Sequence, residues 1–370
     1  MKCPDSEIMI RVGLITDGAP EFRRNGNLVH LQNLLIGADF HWQRVIEAAF
    51  EGEIEYIEPQ GNIRAVNVLP LERYLVSVTG SEMSPRSPLE FLKAHAVISR
   101  SWALRKIRGE SDEANERHLA GNGRYVNWDE SDCHAGFHVC SDDHCQRYQG
   151  VGAKIPEACA AAVAATAGEV LLDEDGNVAD ARFSKCCGGV TEIFSSCWAD
   201  RDYPYLKSFA DPYCNLSDMR PEARKSLLGS ILKSYDLTDN ALYSWEKTVS
   251  KSEIKRHLRE KFGMDIGEVQ NVTPMLRGPS GRITLMRISG TTGSVEIGKE
   301  LMIRRVLDAT HLPSSCFEAE ERGEMVHLSG QGWGHGVGLC QTGAARMAAE
   351  GASYRDILGF YYPGTTIGKI

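Results

Sequence analysis

The chain has 370 residues, 42% hydrophobic and 25% charged, with a formal net charge of −9. That length predicts one or two domains of ordinary globular composition, and the acidic balance argues against a nucleic-acid surface, which needs a basic patch. No run reaches the ~18 apolar residues of a membrane span, and the opening MKCPDSEIMIRVGL carries no apolar signal-peptide core.

Ile8, Ile10, Val12 and Leu14 alternate with Met9, Arg11 and Gly13, the period of a strand with one buried face. Shorter strand-like runs follow to about Leu69, separated by turn signals at Asp17-Gly18, Asn25-Gly26 and Gln60-Gly61. The stretch 71–104, LERYLVSVTGSEMSPRSPLEFLKAHAVISRSWAL, organises the chain. A loop over 80–85 is expected to carry one carboxylate, Glu82. A helix over 88–104 is then predicted, with Ser87 as N-cap, Pro88 in the first helical position and Glu90 closing a capping box. Phe91, Ala94, Ile98 and Trp102 form one apolar face, and Leu89, Leu92, Ala96 and Ala103 another, so the helix should be buried. Lys93 and Arg100 lie two turns apart on one stripe and need partners if buried. Glu82 is either one of those partners or a pocket acid.

Within 133–145 stand three Cys and three His. Thiolate and imidazole are the preferred ligands of zinc, and closely spaced ligands fold a loop around a tetrahedral ion. A disulfide suits an oxidising compartment, so metal is the favoured reading. Eleven cysteines, an odd number, with no signal segment point to a reducing, cytoplasmic location. Next come an alanine-rich helix over 156–167 and a hairpin around Asp173-Glu174-Asp175-Gly176-Asn177. In Phe183-Ser184-Lys185-Cys186-Cys187-Gly188-Gly189, the glycine pair permits a tight turn or close approach to a ligand, and Cys186 and Cys187 read as buried small residues. Residues 218–267 read as helical and charged, and 272–295 as strands. Six glycines in 328–344 surround His335 and precede a helix, but without the Lys-Ser/Thr pair of a phosphate loop.

The run LERYLVSVTGSEM…LKAHAVISRSWAL resembles the SpoIID/LytB family, the stage II sporulation protein D lytic transglycosylase and its relatives. That family's pattern has an L-E-x-Y-L opening, an E-M pair, and L-K-A-Q-A-V-A-A-R-T-Y-A. His95 stands where Gln is usual. The resemblance implies that Glu82 is the catalytic acid and that Lys93 and Arg100 contact substrate or other carboxylates. F-H-V-C-S-D-D-H-C-Q is similar to F-D-x-C-D-x-T-H-C-Q, where some members hold zinc through one His and two Cys. His134, Cys140 and Cys145 fit that set, with His144 and then His138 as substitutes; Cys133 is an addition to the pattern. Phe183–Thr191 resembles F-x-S-x-x-G-G-x-T, implying that Gly188 and Gly189 approach substrate. The last segment resembles G-x-G-H-G-V-G-x-S-Q-x-G-A, keeping His335 and Gln341 for the sugar groove while Cys340 replaces Ser. The likeness runs in order from Ile8 to the C-terminus.

These readings predict an α+β protein: a β-rich opening region over 1–70, and a catalytic core over 71–215 with acid loop, central buried helix and Cys/His cluster. A helical insertion over 216–270 follows, and a C-terminal part over 271–370 completes the core. The implied activity is lytic cleavage of peptidoglycan glycan strands between N-acetylmuramic acid and N-acetylglucosamine, leaving anhydro-muramyl ends. One Glu can serve as acid and then base, because no external water needs activating; such an acid must stay protonated near neutral pH in a poorly solvated site. Zinc is expected as a mainly structural ion near the site. Expected partners are glycan strands and a cell-wall amidase, with no nucleic acid. Two other readings remain: a non-catalytic wall-binding module that enhances an amidase, and a zinc-dependent cell-wall hydrolase. The family's substrate lies outside the cytoplasm. The missing signal therefore implies either a targeting segment outside this chain or action on imported wall fragments.

Overall fold

The computed structural model describes residues 7–38, 40, 42–58, 63–109, 123–128, 134–151, 156–232 and 242–370. The turn expected at Gln60-Gly61 and the additional Cys133 lie outside them. The fold is α+β, as expected. The alternating opening segment forms β1 (Met9–Leu14), followed by β2 (Phe22–Asn25), β3 (Leu28–Ile36), β4 (Arg44–Phe50), β5 (Glu53–Ile57) and β6 (Arg64–Pro70). β2, β3 and β4 make one antiparallel sheet, and β1 pairs antiparallel with β6 in another.

β6 runs straight into α1 (Leu71–Glu82), whose buried face is set by Leu71, Tyr74, Leu75 and Val78 at helical spacing. Glu82 is therefore the last residue of a helix, not part of a loop. The chain leaves at Met83 in extended conformation, with Pro85 two residues on. Gly80 and Ser81 are weak helix formers, but their turn is packed: a Cβ on Gly80 would lie 3.6 Å from Pro156 and 3.7 Å from Cys159.

The central helix, α2 (Leu89–Ile107), is buried on nearly all sides. Phe91, Leu92, Val97 and Ile98 enter one hydrophobic core, and Ala96, Trp102 and Ala103 enter a second. Each large side chain buried this way contributes roughly 1.5–3 kcal/mol, more than exposed ion pairs supply. The expected capping box is not made. Ser87 Oγ donates to the Ser230 carbonyl, and Glu90 takes Lys93 and the Tyr354 N–H instead.

β7 (Arg124–Val126) and β8 (Val139–Cys140) follow. β8 lies parallel against β1, which docks the Cys/His segment onto a sheet edge. A Cβ on Gly13 would fall 2.6 Å from the Phe137 ring, so only glycine allows that ring to seat. α3 (Glu157–Ala165) packs on α1 and α2 and leads into β9 (Glu169–Leu172) and β10 (Phe183–Ser184).

The region expected to be a helical insertion contains α4 (Pro221–Ile231) and α5 (Lys251–Phe262), but also a strand, β11 (Ser244–Ser250). β11 and α5, with β12 (Val269–Arg277), β13 (Ile283–Gly290), β14 (Ser294–Gly298), α6 (Glu300–Val306), β15 (Phe317–Arg322) and β16 (Met325–Gln331), surround a third core, whereas α4 packs Leu227 and Ile231 into the first. β11 pairs antiparallel with β16 along its whole length. The chain closes with β17 (Leu339–Cys340), α7 (Gln341–Ala349), α8 (Tyr354–Tyr361) and β18 (Thr366–Lys369). β17 pairs in parallel with β10, placing the glycine loop beside the Lys185–Gly189 turn.

Candidate active site and metal cluster

A cleft of about 1080 Å³ opens where the C-terminal end of α1, the Cys/His segment and the glycine loop meet. Glu82, His134, Cys140, His144, Cys145, His335 and Gln341 all line it, although they span most of the chain. Glu82 is buried, and its Oε1 accepts the Arg147 N–H at 2.8 Å. Arg147 also donates to Asp143 Oδ1 at 2.5 Å and stacks its guanidinium 4.6 Å from the Trp42 ring centroid. Burial pushes the Asp143 carboxyl up, Arg147 draws it back, and the neighbouring Glu82 charge raises it again. Asp142 is fixed differently: its two oxygens accept the Gly37 and Ala38 N–H groups at 2.7 Å each. Burial, with Asp143 adding, pushes the Asp142 carboxyl up to about 6.

The ligand atoms of His134, Cys140, His144 and Cys145 lie within 4.8 Å of one another. Cys145 Sγ is 3.5 Å from His134 Nε2 and 3.6 Å from His144 Nδ1, and Cys140 Sγ is 3.9 Å from His144 Nδ1. A tetrahedral zinc with bonds of ~2.3 Å to sulfur and ~2.05 Å to nitrogen has sulfur–nitrogen edges of about 3.6 Å. The donor set and spacing therefore suit one metal ion, with His144 as a fourth ligand beside the three expected. His138 is excluded from the set: its Nδ1 accepts the Arg11 N–H at 3.1 Å on the sheet side. Gln146 anchors the segment from behind, accepting the Tyr74 hydroxyl at 3.1 Å.

On the opposite wall, His335 Nδ1 accepts the Val337 N–H at 3.0 Å, and its ring lies edge-on to Trp198 at 4.8 Å. Burial first, then Arg182, Arg282 and Arg304, hold this imidazole well below its usual range, so it is neutral at physiological pH. Gln341 donates to His95 Nε2 at 3.0 Å. His95 is fully buried, and burial, with Lys185 adding, lowers it to about 3. The neutral ring accepts at Nε2, which puts its hydrogen on Nδ1, toward Ser99 Oγ at 3.2 Å. His95 thus positions Gln341.

Lys93 and Arg100 contact other carboxylates, the second of the two roles expected for them, and Gly188 and Gly189 are not among the residues that line the cleft. Arg100 is fully buried, clamps Glu72 through two 2.7 Å bonds and donates to the Glu169 carbonyl at 2.9 Å. Lys93 pairs with Glu90 at 2.6 Å beside Tyr354. Gly188 (φ +80°) and Gly189 (φ +99°) serve close packing within the protein: a Cβ would meet Gly332 N at 3.0 Å in the first case and the Tyr243 hydroxyl at 2.8 Å in the second. The sequence reading missed the cleft residues Asp143, Arg147, Arg182 and Lys185. Asp143 and Arg147 flank the His-Cys-Gln run and face the cleft; Arg182 and Lys185 flank β10. Arg182 also stacks on Trp198, 4.2 Å from the ring centroid.

A family model described as stage II sporulation protein matches residues 59–172, which holds Glu82, α2 and the Cys/His cluster. Over this segment the chain is similar to the SpoIID/LytB family. A second model, a domain of unknown function (DUF8618), matches residues 192–338. Stage II sporulation protein D of Bacillus subtilis (strain 168) is 26% identical over 309 residues, covering 83% of this chain and 76% of that protein. An uncharacterised protein of Brachyspira hyodysenteriae is 26% identical over 318 residues, covering 86% of this chain and 72% of its own. The amidase enhancer of Bacillus subtilis (strain 168) is 27% identical over 230 residues, covering 56% of this chain and 32% of that protein. Among the described residues no helix is long and apolar enough to cross a membrane, and the nine described cysteines are free.

Proposed function

We propose that this chain is a peptidoglycan lytic transglycosylase in which Glu82 acts as both acid and base. The observation that carries the reading is the placement of Glu82: a buried carboxylate on the wall of a large cleft, held at one oxygen by a backbone N–H. Protonated Glu82 delivers its proton to the glycosidic oxygen as the bond to muramyl C1 breaks. The resulting carboxylate then takes the proton of the muramyl C6 hydroxyl as that oxygen attacks C1, which closes the anhydro ring and restores the acid. No water is consumed.

The cleft's surroundings support an anionic glycan as substrate. Arg64, Lys106, Arg147, Arg182, Lys185, Arg304 and Arg305 line it against Glu82, Asp142, Asp143 and Glu300, in a chain whose net charge is −9. Muramyl lactyl and stem-peptide carboxylates suit that balance. Trp128, Trp198 and Trp333 line the same space and offer aromatic surface for sugar rings.

Zinc fits His134, Cys140, His144 and Cys145, where it would cross-link the segment that carries Asp143 and Arg147. Four protein ligands make a closed, structural site, whereas a catalytic zinc keeps a position open for water. That favours acid–base chemistry at Glu82 over a zinc hydrolase. Digestion of purified glycan strands tests the reading. Anhydro-muramyl ends are expected. New reducing ends or freed peptides would mean hydrolysis, and binding without products would leave a module like the amidase enhancer's name suggests.

A further inference from the structure

Behind the cleft, four cysteines from three separate segments, Cys186, Cys187, Cys214 and Cys340, meet in the core. Cys187, Cys214 and Cys340, with the Asp211 carboxylate, present ligand atoms all within 4.8 Å of one another, and all four residues are buried. Cys187 Sγ lies 3.4 Å from Asp211 Oδ2, and Cys186 Sγ lies 3.3 Å from Cys214 Sγ. The ligands come from the turn after β10, from the 211–214 turn, and from the residue that precedes α7. The parallel pairing of β10 with β17 brings the first and last together.

Three features separate this cluster from thiols that merely pack. The spacing suits a single ion: tetrahedral zinc with ~2.3 Å bonds to sulfur and ~2.1 Å bonds to oxygen has ligand edges of about 3.6–3.8 Å. The sulfur of Cys340 receives two backbone donors, Cys187 N–H at 3.3 Å and Gly343 N–H at 3.4 Å, the outer support that metal thiolates favour. Asp211 is buried, and its hydrogen-bond donors are neutral: the Tyr213 and Cys214 N–H groups, the Cys187 thiol and the Tyr361 hydroxyl, the last at 2.8 Å. No side-chain cation pairs with Asp211 among the described residues. A buried carboxylate without a counter-charge is costly, and a divalent cation among these ligands supplies one.

We propose that Cys187, Cys214, Cys340 and Asp211 form a second metal site that takes one soft divalent cation, zinc by its ligand set. The ion fastens the glycine loop to the turn beneath it. Cys340 directly precedes Gln341, and Cys187 follows Lys185 by two residues; both Gln341 and Lys185 line the cleft. The site is therefore a structural clamp behind the sugar groove, separate from the His134 cluster.

Native mass spectrometry of the intact chain, purified without added metal, tests this. Two zinc equivalents are expected in the unmodified chain, one in Cys145→Ser, one in Cys214→Ser and none in the double variant. One equivalent in the unmodified chain that disappears in Cys145→Ser would overturn the proposal. A Cys186–Cys214 disulfide, read as a mass two hydrogens lower and a linked peptide, would overturn it too. If Cys214→Ser does not fold, the Cys145→Ser protein decides alone: a retained ion supports the second site, and a metal-free chain refutes it.

Discussion

Replacing Arg100 should cost stability and leave glycan binding intact, the reverse of what a substrate contact predicts. The Arg100 side chain is 0% exposed, and its three described hydrogen bonds end on Glu72 and the Glu169 carbonyl. Arg100→Ala removes all three and leaves a void at a fully buried position. Breaking a buried ion pair costs ~3–5 kcal/mol. The Glu72 side chain is 38% exposed and can rehydrate, so the lower end applies, about 3 kcal/mol. Lys93→Ala removes an i,i+3 pair with Glu90 and a cation–π contact with Tyr354 and should cost ~1 kcal/mol. Chemical denaturation of both variants gives the two costs, and calorimetric titration with glycan fragments gives affinity where both are folded. An Arg100→Ala protein as stable as the parent but with weakened glycan affinity would refute the reasoning.

His95→Gln should change how stability depends on pH. Folded His95 stays neutral down to about 3, whereas in the unfolded chain it takes a proton below ~6.5. The unfolded state therefore binds the extra proton between those values, and this contribution to stability falls as pH falls. Relative to the parent, His95→Gln should gain ~1.4 kcal/mol per pH unit well below pH 6.5; a stability gap constant from pH 7.5 to 4.5 would contradict this. Gly336→Ala should lower the melting temperature: φ is +78° and a Cβ would sit 2.5 Å from Arg282 Cζ, so a left-handed penalty of ~1–2 kcal/mol comes before any clash. A neutral outcome would mean that the loop is not packed as described. Zinc at the His134 cluster should be stripped by chelator more readily at pH 5.5 than at 7.5, because its ligands bind deprotonated; metal analysis showing no pH dependence would count against that site.

The features that a local pattern governs were readable in the sequence. The alternation of β1 and the all-round apolar character of α2 reported strand and buried helix directly, and the dense Cys/His run reported side chains that gather with their ligand atoms close together. Features set by distant partners were not. Glu82 reads as a loop residue because Gly80 and Ser81 are poor helix formers, but packing against Pro156 and Cys159 overrides that preference. The capping box at Ser87 and Glu90 failed because Ser230 and Tyr354, both far along the chain, took those side chains. β11 was hidden between charged helical stretches, since only Trp245 and Val249 of its residues are buried. Cys187, Cys214 and Cys340 cannot be associated from spacing; the β10–β17 pairing joins two of them, and the 211–214 turn adds the third.

The central claim is that Glu82 moves the proton in glycan cleavage. Its most direct test is to compare the parent chain and Glu82→Gln on purified glycan strands, counting anhydro-muramyl ends against time and measuring binding in parallel. The account predicts anhydro-muramyl products from the parent, a loss of at least ~10²-fold in turnover for the variant, and retained glycan affinity. Near-parental production of anhydro ends by Glu82→Gln, or products that carry reducing ends instead, would contradict it.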